Sequence, residues 1–217
     1  MTGKDHEDVE QAATYDDAAK KIEWNGPALI FDLLLPYIRP GQAVLDIGIG
    51  TGLGSEPLCR AGLQVTGIDL SRNMLAVCNK KGIATRLIHH DLTAIPYPFD
   101  DSSFDYVIST GVFQFFPDLS LVFGEVARLL TGNGMFAFIV GDRGMDDDGE
   151  IIAGPKQTGN STSVTMYLLT PEQVAAWLEK NALRFVDSIP FTVWMDENRT
   201  QKMPARAYLV QRLGMRN

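Results

Sequence analysis

The sequence predicts an α/β fold, a doubly wound and mostly parallel sheet with an antiparallel hairpin at its C-terminal end. Three observations carry this. Apolar runs of strand length alternate with helix-like segments between about residues 43 and 141, the pattern of parallel strands covered on both faces. A glycine-rich turn, "VLDIGIGTGLG" at 44–54, closes the first of these runs. The last two apolar runs are joined by a polar loop and not by a helix, so they should pair antiparallel.

Taken in order, residues 15–38 carry apolar side chains at helical spacing in two pieces, with "NGP" at 25–27 as the break. The dozen residues before them are expected to fray. "RPGQ" is a turn into the buried strand "AVLDI", and a helix follows over roughly 53–61, with Pro57 in its first turn. "LQVTGIDL" is a second strand. "SRNMLAVCNKKG" is a helix with Ser71 as cap and Gly82 as stop. "ATRLIHH", "FDYVIST" and "MFAFIVG" supply strands three to five, with a helix in "LSLVFGEVARLL" before the fifth. Beyond residue 141 an irregular acidic stretch is expected. A helix "TPEQVAAWLEKNA" then follows, capped by Thr170 with Pro171 at its first position, before the two closing strands.

Charge narrows the function. The 217 residues hold 19 Lys and Arg against 27 Asp and Glu, a net charge of −8 with a pI near 4.8. No Lys/Arg cluster offers a phosphate backbone its counter-charge, so a nucleic-acid partner is disfavoured. No apolar run reaches the roughly 18 residues of a membrane span, and the N-terminus is too polar for a secretory leader. Cys59 and Cys78 therefore read as reduced thiols in a cytoplasmic protein. Acids in "GDRGMDDDGE" at 141–150 read as a solvated loop, and no metal site is expected.

In an open α/β sheet the ligand sits beyond the carboxyl ends of the strands, where four strands here end in polar or glycine-rich sequence. The glycine turn could cradle a dinucleotide or S-adenosylmethionine, and Asp46 separates the two. A diphosphate at the following helix start favours positive surroundings, which Asp46 opposes. S-adenosylmethionine carries a sulfonium and an ammonium, for which a carboxylate is an asset. Gly48, Gly50 and Gly52 let the backbone come close to the ligand. Asp69, ending the second strand, is placed to accept both ribose hydroxyls. Asp91 ends the third strand and either accepts from adenine or caps a short helix, with Leu92 beside the ring.

"VLDIGIGTG", "VTGIDLS", "HDL", "FDYVIST" and "GEVARLLTGNGMF" resemble the successive motifs of class I S-adenosylmethionine-dependent methyltransferases, nearest the minimal-core group called methyltransferase type 11. The resemblance covers about residues 40–140. It implies a seven-stranded sheet of order 3-2-1-4-5-7-6, in a core of residues 40–217 under an N-terminal helical lid region of residues 1–39. It also implies that Asp46, Gly48, Gly50 and Gly52 hold the methionine end of the cofactor. Asp69, Leu70 and Met74 would hold ribose and adenine, with Asp91 and Leu92 at the adenine edge and Ser109 and Thr110 facing the centre. Tyr15 resembles a lid aromatic. The product would be S-adenosylhomocysteine.

Methyl transfer is in-line displacement at a carbon that the cofactor itself activates, so a base is needed only where the acceptor must lose a proton. Many relatives carry a His after the fourth strand, but Phe115 occupies that position here, preceded by Gln114. Gln114 can orient a substrate and cannot take a proton. His89 and His90 are the alternative bases, with His90 the candidate on the ligand side. Phe115 and Tyr167 are the candidates for an acceptor pocket. A small-molecule methyltransferase is the leading reading. A cofactor-binding sensor and a tRNA or protein methyltransferase are alternatives, and a short-chain dehydrogenase is opposed by the absence of any Tyr-x-x-x-Lys.

Overall fold

A computed structural model describes residues 3–143, 150–153 and 164–214. Its strands are β1 (Ala43–Ile47), β2 (Gln64–Asp69), β3 (Arg86–His89), β4 (Phe104–Ser109), β5 (Leu130–Asp142), β6 (Glu150–Ala153), β7 (Val164–Leu169), β8 (Leu183–Trp194) and β9 (Lys202–Arg212). The helices are α1 (Gly3–Lys21), α2 (Gly26–Leu34), α3 (Glu56–Arg60), α4 (Arg72–Lys81), α5 (Ser120–Leu129) and α6 (Pro171–Lys180). Strands β3, β2, β1, β4 and β5 lie side by side and parallel. Strand β9 runs antiparallel along the other edge of β5, and β8 pairs antiparallel with β9. With the small β6–β7 hairpin set aside, this is the order 3-2-1-4-5-7-6 that the sequence resemblance implies.

The hairpin itself was not foreseen. Gly141 of β5 pairs with Ala205 of β9 on one side and Leu168 of β7 on the other. Strand β4 pairs with β5 only as far as Phe138, so β7 extends the sheet beyond the end of β4. The expected irregular stretch after 141 thus contains two strands, and the acidic residues 144–149 lie outside the described residues. The helix expected over 53–61 is shorter, and α1 begins at Gly3, within the segment expected to fray. Among the described residues no helix is long and apolar enough to cross a membrane.

Strand alternation builds two cores from one sheet. Phe136, Phe138 and Val140 of β5 face α5 and α6 with Phe113, Phe123 and Trp177. Met135, Ala137 and Ile139 face the other way, onto α2 and a layer with Ile30, Leu34, Val44 and Leu58. The helix signals behave as local chemistry dictates. Ser71 Oγ accepts from Met74 N at the start of α4, and Gly82 ends it at φ +66°. Thr170 and Gln173 close a capping box on α6.

One buried ion pair fixes the segment after β3. Glu125 of α5 accepts from Tyr97 N at 2.9 Å and from Arg128 Nη2 at 2.8 Å, and Arg128 also donates to the carbonyls of Tyr97 and Phe99. Burial alone would raise the Glu125 carboxyl, but the Arg128 and Tyr97 donors outweigh it and hold the group below its ordinary range. Removing Glu125 strands Tyr97 N and takes from Arg128 its buried carboxylate partner, leaving it Asp101 and the two carbonyls, so Glu125→Ala should cost about 2 kcal/mol in a urea melt. A loss below about 0.5 kcal/mol, typical of a surface change, would contradict this role.

Candidate cofactor and acceptor site

The loop after β1 turns back over β2, with Gly48 N and Ile49 N donating to the Ile68 carbonyl. Its three glycines at positive φ serve different ends. A Cβ on Gly48 would stand 2.7 Å from Val112, and one on Gly52 2.9 Å from Ile83, so the protein's own packing excludes side chains there. Gly50, at φ +54°, would meet nothing within 4 Å. It faces open space, and it alone of the three is free of its neighbours for a ligand's sake.

Asp69, at the end of β2, braces this loop. One oxygen accepts from Gly50 N at 2.8 Å and the other from Ser71 N at 2.7 Å. A carboxylate offers about four lone-pair directions, so two remain for outside donors such as a ribose diol. Asp46 is 1% exposed and has a different balance. Its Oδ2 accepts from Ser55 Oγ at 2.7 Å, while Oδ1 is buried with no partner among the described residues. Burial lifts its pKa to about 7, the Ser55 hydroxyl opposes this, and the charge on Asp69 adds to it. An orphaned buried carboxylate oxygen is costly until a cation or a donor reaches it.

A cavity of about 540 Å³ opens beside these groups. Gly48, Gly50, Asp69, Ser71 and Met74 line one part of it, and Tyr15, Gln11 and Ile22 of the N-terminal segment cover it. Gly111, Val112, Gln114 and Phe115 come from the turn after β4, and Ile139, Met166, Val193, Met195 and Met203 form an apolar wall. Asp16 ties α1 down: it accepts from Thr51 Oγ1 at 2.5 Å and pairs with Lys81 of α4. Burial, then Asp16, then Asp69, raises the Tyr15 phenol above its ordinary pKa.

Several residues singled out in the sequence stand elsewhere. Asp46 lies behind the glycine loop and not in the cavity wall. Ser109 is buried and donates to the Ile47 carbonyl, knitting β4 to β1. Thr110 packs where a Cβ on Gly54 would otherwise sit. Leu92 belongs to the apolar core. Asp91 is exposed and accepts from Thr93 N and Oγ1, a local turn and not the short helix considered for it. Leu70 is exposed between two lining residues. His90 hydrogen-bonds the Ala94 carbonyl through Nε2 and meets Tyr97 edge-on, away from the cavity. Tyr167 points away as well, because alternation along β7 sends Met166 inward. The methionine wall went unread because β7 was not anticipated and the facing of β8 and β9 was left open; a period-2 count over "VTMYLL" would have flagged it.

The residues present fit S-adenosylmethionine. Asp46, behind the glycine loop, would supply an unmet anion for its ammonium through water, Asp69 two free lone pairs for its ribose, and Gly50 an open approach. With Asp46 as the ammonium's partner, binding would require it ionised, so affinity for S-adenosylhomocysteine should rise as pH climbs through about 7. The ligand-free protein should show the opposite trend. A carboxyl raised in the fold favours the folded state at low pH, and that advantage is lost between its ordinary 3.8 and about 7. Asp46→Asn should flatten both profiles and weaken S-adenosylhomocysteine at least about tenfold; calorimetry and thermal melts across pH test this, and unchanged affinity would refute it. Gly50→Ala, at a strain of about 1 kcal/mol, should fold yet bind the same ligand about tenfold more weakly. Equal affinity in a folded variant would remove Gly50 from the site.

Residues 45–138 match the methyltransferase domain family model. Among curated proteins, phosphoethanolamine N-methyltransferase 2 of Caenorhabditis elegans is 38% identical over 100 residues, 44% of this chain and 23% of that protein. Demethylmenaquinone methyltransferase of Renibacterium salmoninarum is 39% identical over 113 residues, 48% of this chain and 47% of that one. The chain thus spans less than half the length of these two relatives. Among solved structures, a SAM-dependent methyltransferase from Methanosarcina mazei superposes with a TM-score of 0.71 at 18% identity, covering 83% of this chain and 97% of that one, a likeness of fold. The glycine turn, the acidic strand ends and the sheet order agree with these matches: residues 45–138 are similar to the methyltransferase domain family, in a fold shared with S-adenosylmethionine-dependent methyltransferases.

Proposed function

We propose that this protein transfers the methyl group of S-adenosylmethionine to a small apolar acceptor. One observation carries the reading: a single cavity begins at Gly48, Gly50 and Asp69 and ends against Met166, Met195 and Met203. The first part suits the polar cofactor, and the second suits an apolar partner held beside it. The bound cofactor supplies a methyl already activated on a sulfonium. The chain's share is alignment and the exclusion of water. Helix α1 covers the cavity with Tyr15 and Ala18, with Ile22 just past its end, and is fastened through Asp16 to the glycine loop and to α4. Gln114 donates its amide N–H to the Gly111 carbonyl, which fixes the side chain and leaves its Oε1 uncommitted.

The charge of −8 and the absence of Lys or Arg among the described lining residues support a small molecule over a nucleic acid. The relative named for demethylmenaquinone also acts on a small molecule. S-adenosylhomocysteine at about 100 times its dissociation constant should stabilise the protein by about 2.7 kcal/mol, a rise in Tm of about 5–11 °C. NAD and NADP should leave Tm unchanged. A shift with NAD and none with S-adenosylhomocysteine would overturn the reading.

A further inference from the structure

We infer that the acceptor is an apolar aromatic amine, a neutral molecule whose attacking nitrogen has a free lone pair without first losing a proton; this rests on the methyl-transfer reading above. Among the described residues, Tyr15 and Asp69 are the ionisable side chains that line the cavity. Neither serves as a base. The Tyr15 phenol is pushed up by burial and by Asp16 and Asp69, so it stays protonated at neutral pH. Asp69 already holds two backbone N–H groups, and its remaining lone pairs are those the cofactor's ribose diol would take. His90 spends its Nε2 on the Ala94 carbonyl outside the cavity. An acceptor hydroxyl would find no described group to take its proton.

The wall is equally unsuited to an acceptor that arrives as an anion. The described lining holds no Lys, Arg or His, and its acceptor end is Ile139, Met166, Val193, Met195 and Met203. A thiolate or phenolate there would give up its hydration with no protein counter-charge. A neutral nitrogen meets neither obstacle. Its lone pair forms the N–C bond while the pair of the breaking C–S bond stays on sulfur. The resulting ammonium of a weak base is strongly acidic, and its N–H proton passes to water as the product leaves.

Two further features favour a flat amine. Phe115 and the methionine thioethers offer polarisable surface to an aromatic ring. Gln114 Oε1, left without a partner among the described residues, is an acceptor for the amine N–H that becomes more acidic as nitrogen gains charge.

Three probes of one shape separate the possibilities: 2-aminonaphthalene, 2-naphthol and 2-naphthalenethiol, titrated into the S-adenosylhomocysteine-saturated protein by calorimetry. At mildly alkaline pH the thiol is largely ionised and the other two are neutral. The amine and the naphthol should bind, and the thiolate about tenfold or more weakly. With S-adenosylmethionine only the amine should be methylated. Gln114→Ala should weaken amine binding about fivefold, with S-adenosylhomocysteine affinity as the control for folding. Thiolate bound as tightly as the amine, naphthol methylated as fast as the amine, or no amine binding to the saturated protein would each overturn the inference. Failure to bind S-adenosylhomocysteine would overturn the methyl-transfer reading itself, and this inference with it.

Discussion

A buried carboxylate with one oxygen bonded and the other left bare organises this structure. Asp46 sits in the second-last position of β1, where parallel strands on both sides keep water out. Ser55 satisfies one oxygen and nothing described satisfies the other. Such a group lowers the stability of the ligand-free fold once it ionises. The arrangement makes sense when a cation arrives: the ligand then repairs a defect and gains affinity from it. On the proposed reading, the glycine loop, the brace from Asp69 and the helix α1 laid across them are the parts that would bring a cation to that place.

The same economy shows in how backbone donors are assigned. Asp69 holds Gly50 and Ser71, joining the glycine loop to the start of α4, so one carboxylate ties together two walls of the cavity. Ser109 holds the end of β1 against β4. Asp16 reaches from α1 to Thr51 and Lys81 and is the described polar tie between cover and pocket on that side. Farther along the same helix and just past its end, Lys21 and Glu23 meet Glu197 and Arg199 across exposed surface, where ion pairs contribute little. The cover is therefore held chiefly where it touches the site.

What the sequence made legible was local. Ser71, Gly82, Thr170 and Pro171 act through contacts within a few residues, and each does in the fold what its chemistry dictates. The strand runs from β1 to β5 were readable because burial on both faces demands continuous apolar sequence. Gly48, Gly50, Asp69, Met74, Tyr15, Gln114 and Phe115 all come to the cavity. Ser109, Thr110 and Leu92 do not, because a strand end or a turn sends alternate side chains inward and position alone does not say which. Met166 joins that wall because β7 pairs with residues 141–142 across a long stretch of chain, and Met203 because β9 pairs with β5, both non-local events.

The ionisation of Asp46 ties these features together, and a carboxyl-carbon NMR titration of that residue tests it most directly. In the ligand-free protein the group should titrate near 7. With S-adenosylhomocysteine bound, its ammonium should pull the midpoint down by about one unit or more, an opposite charge favouring the ionised form. A midpoint that does not move on binding would contradict the assignment of Asp46 as the cation's partner, and with it the cofactor site built around it.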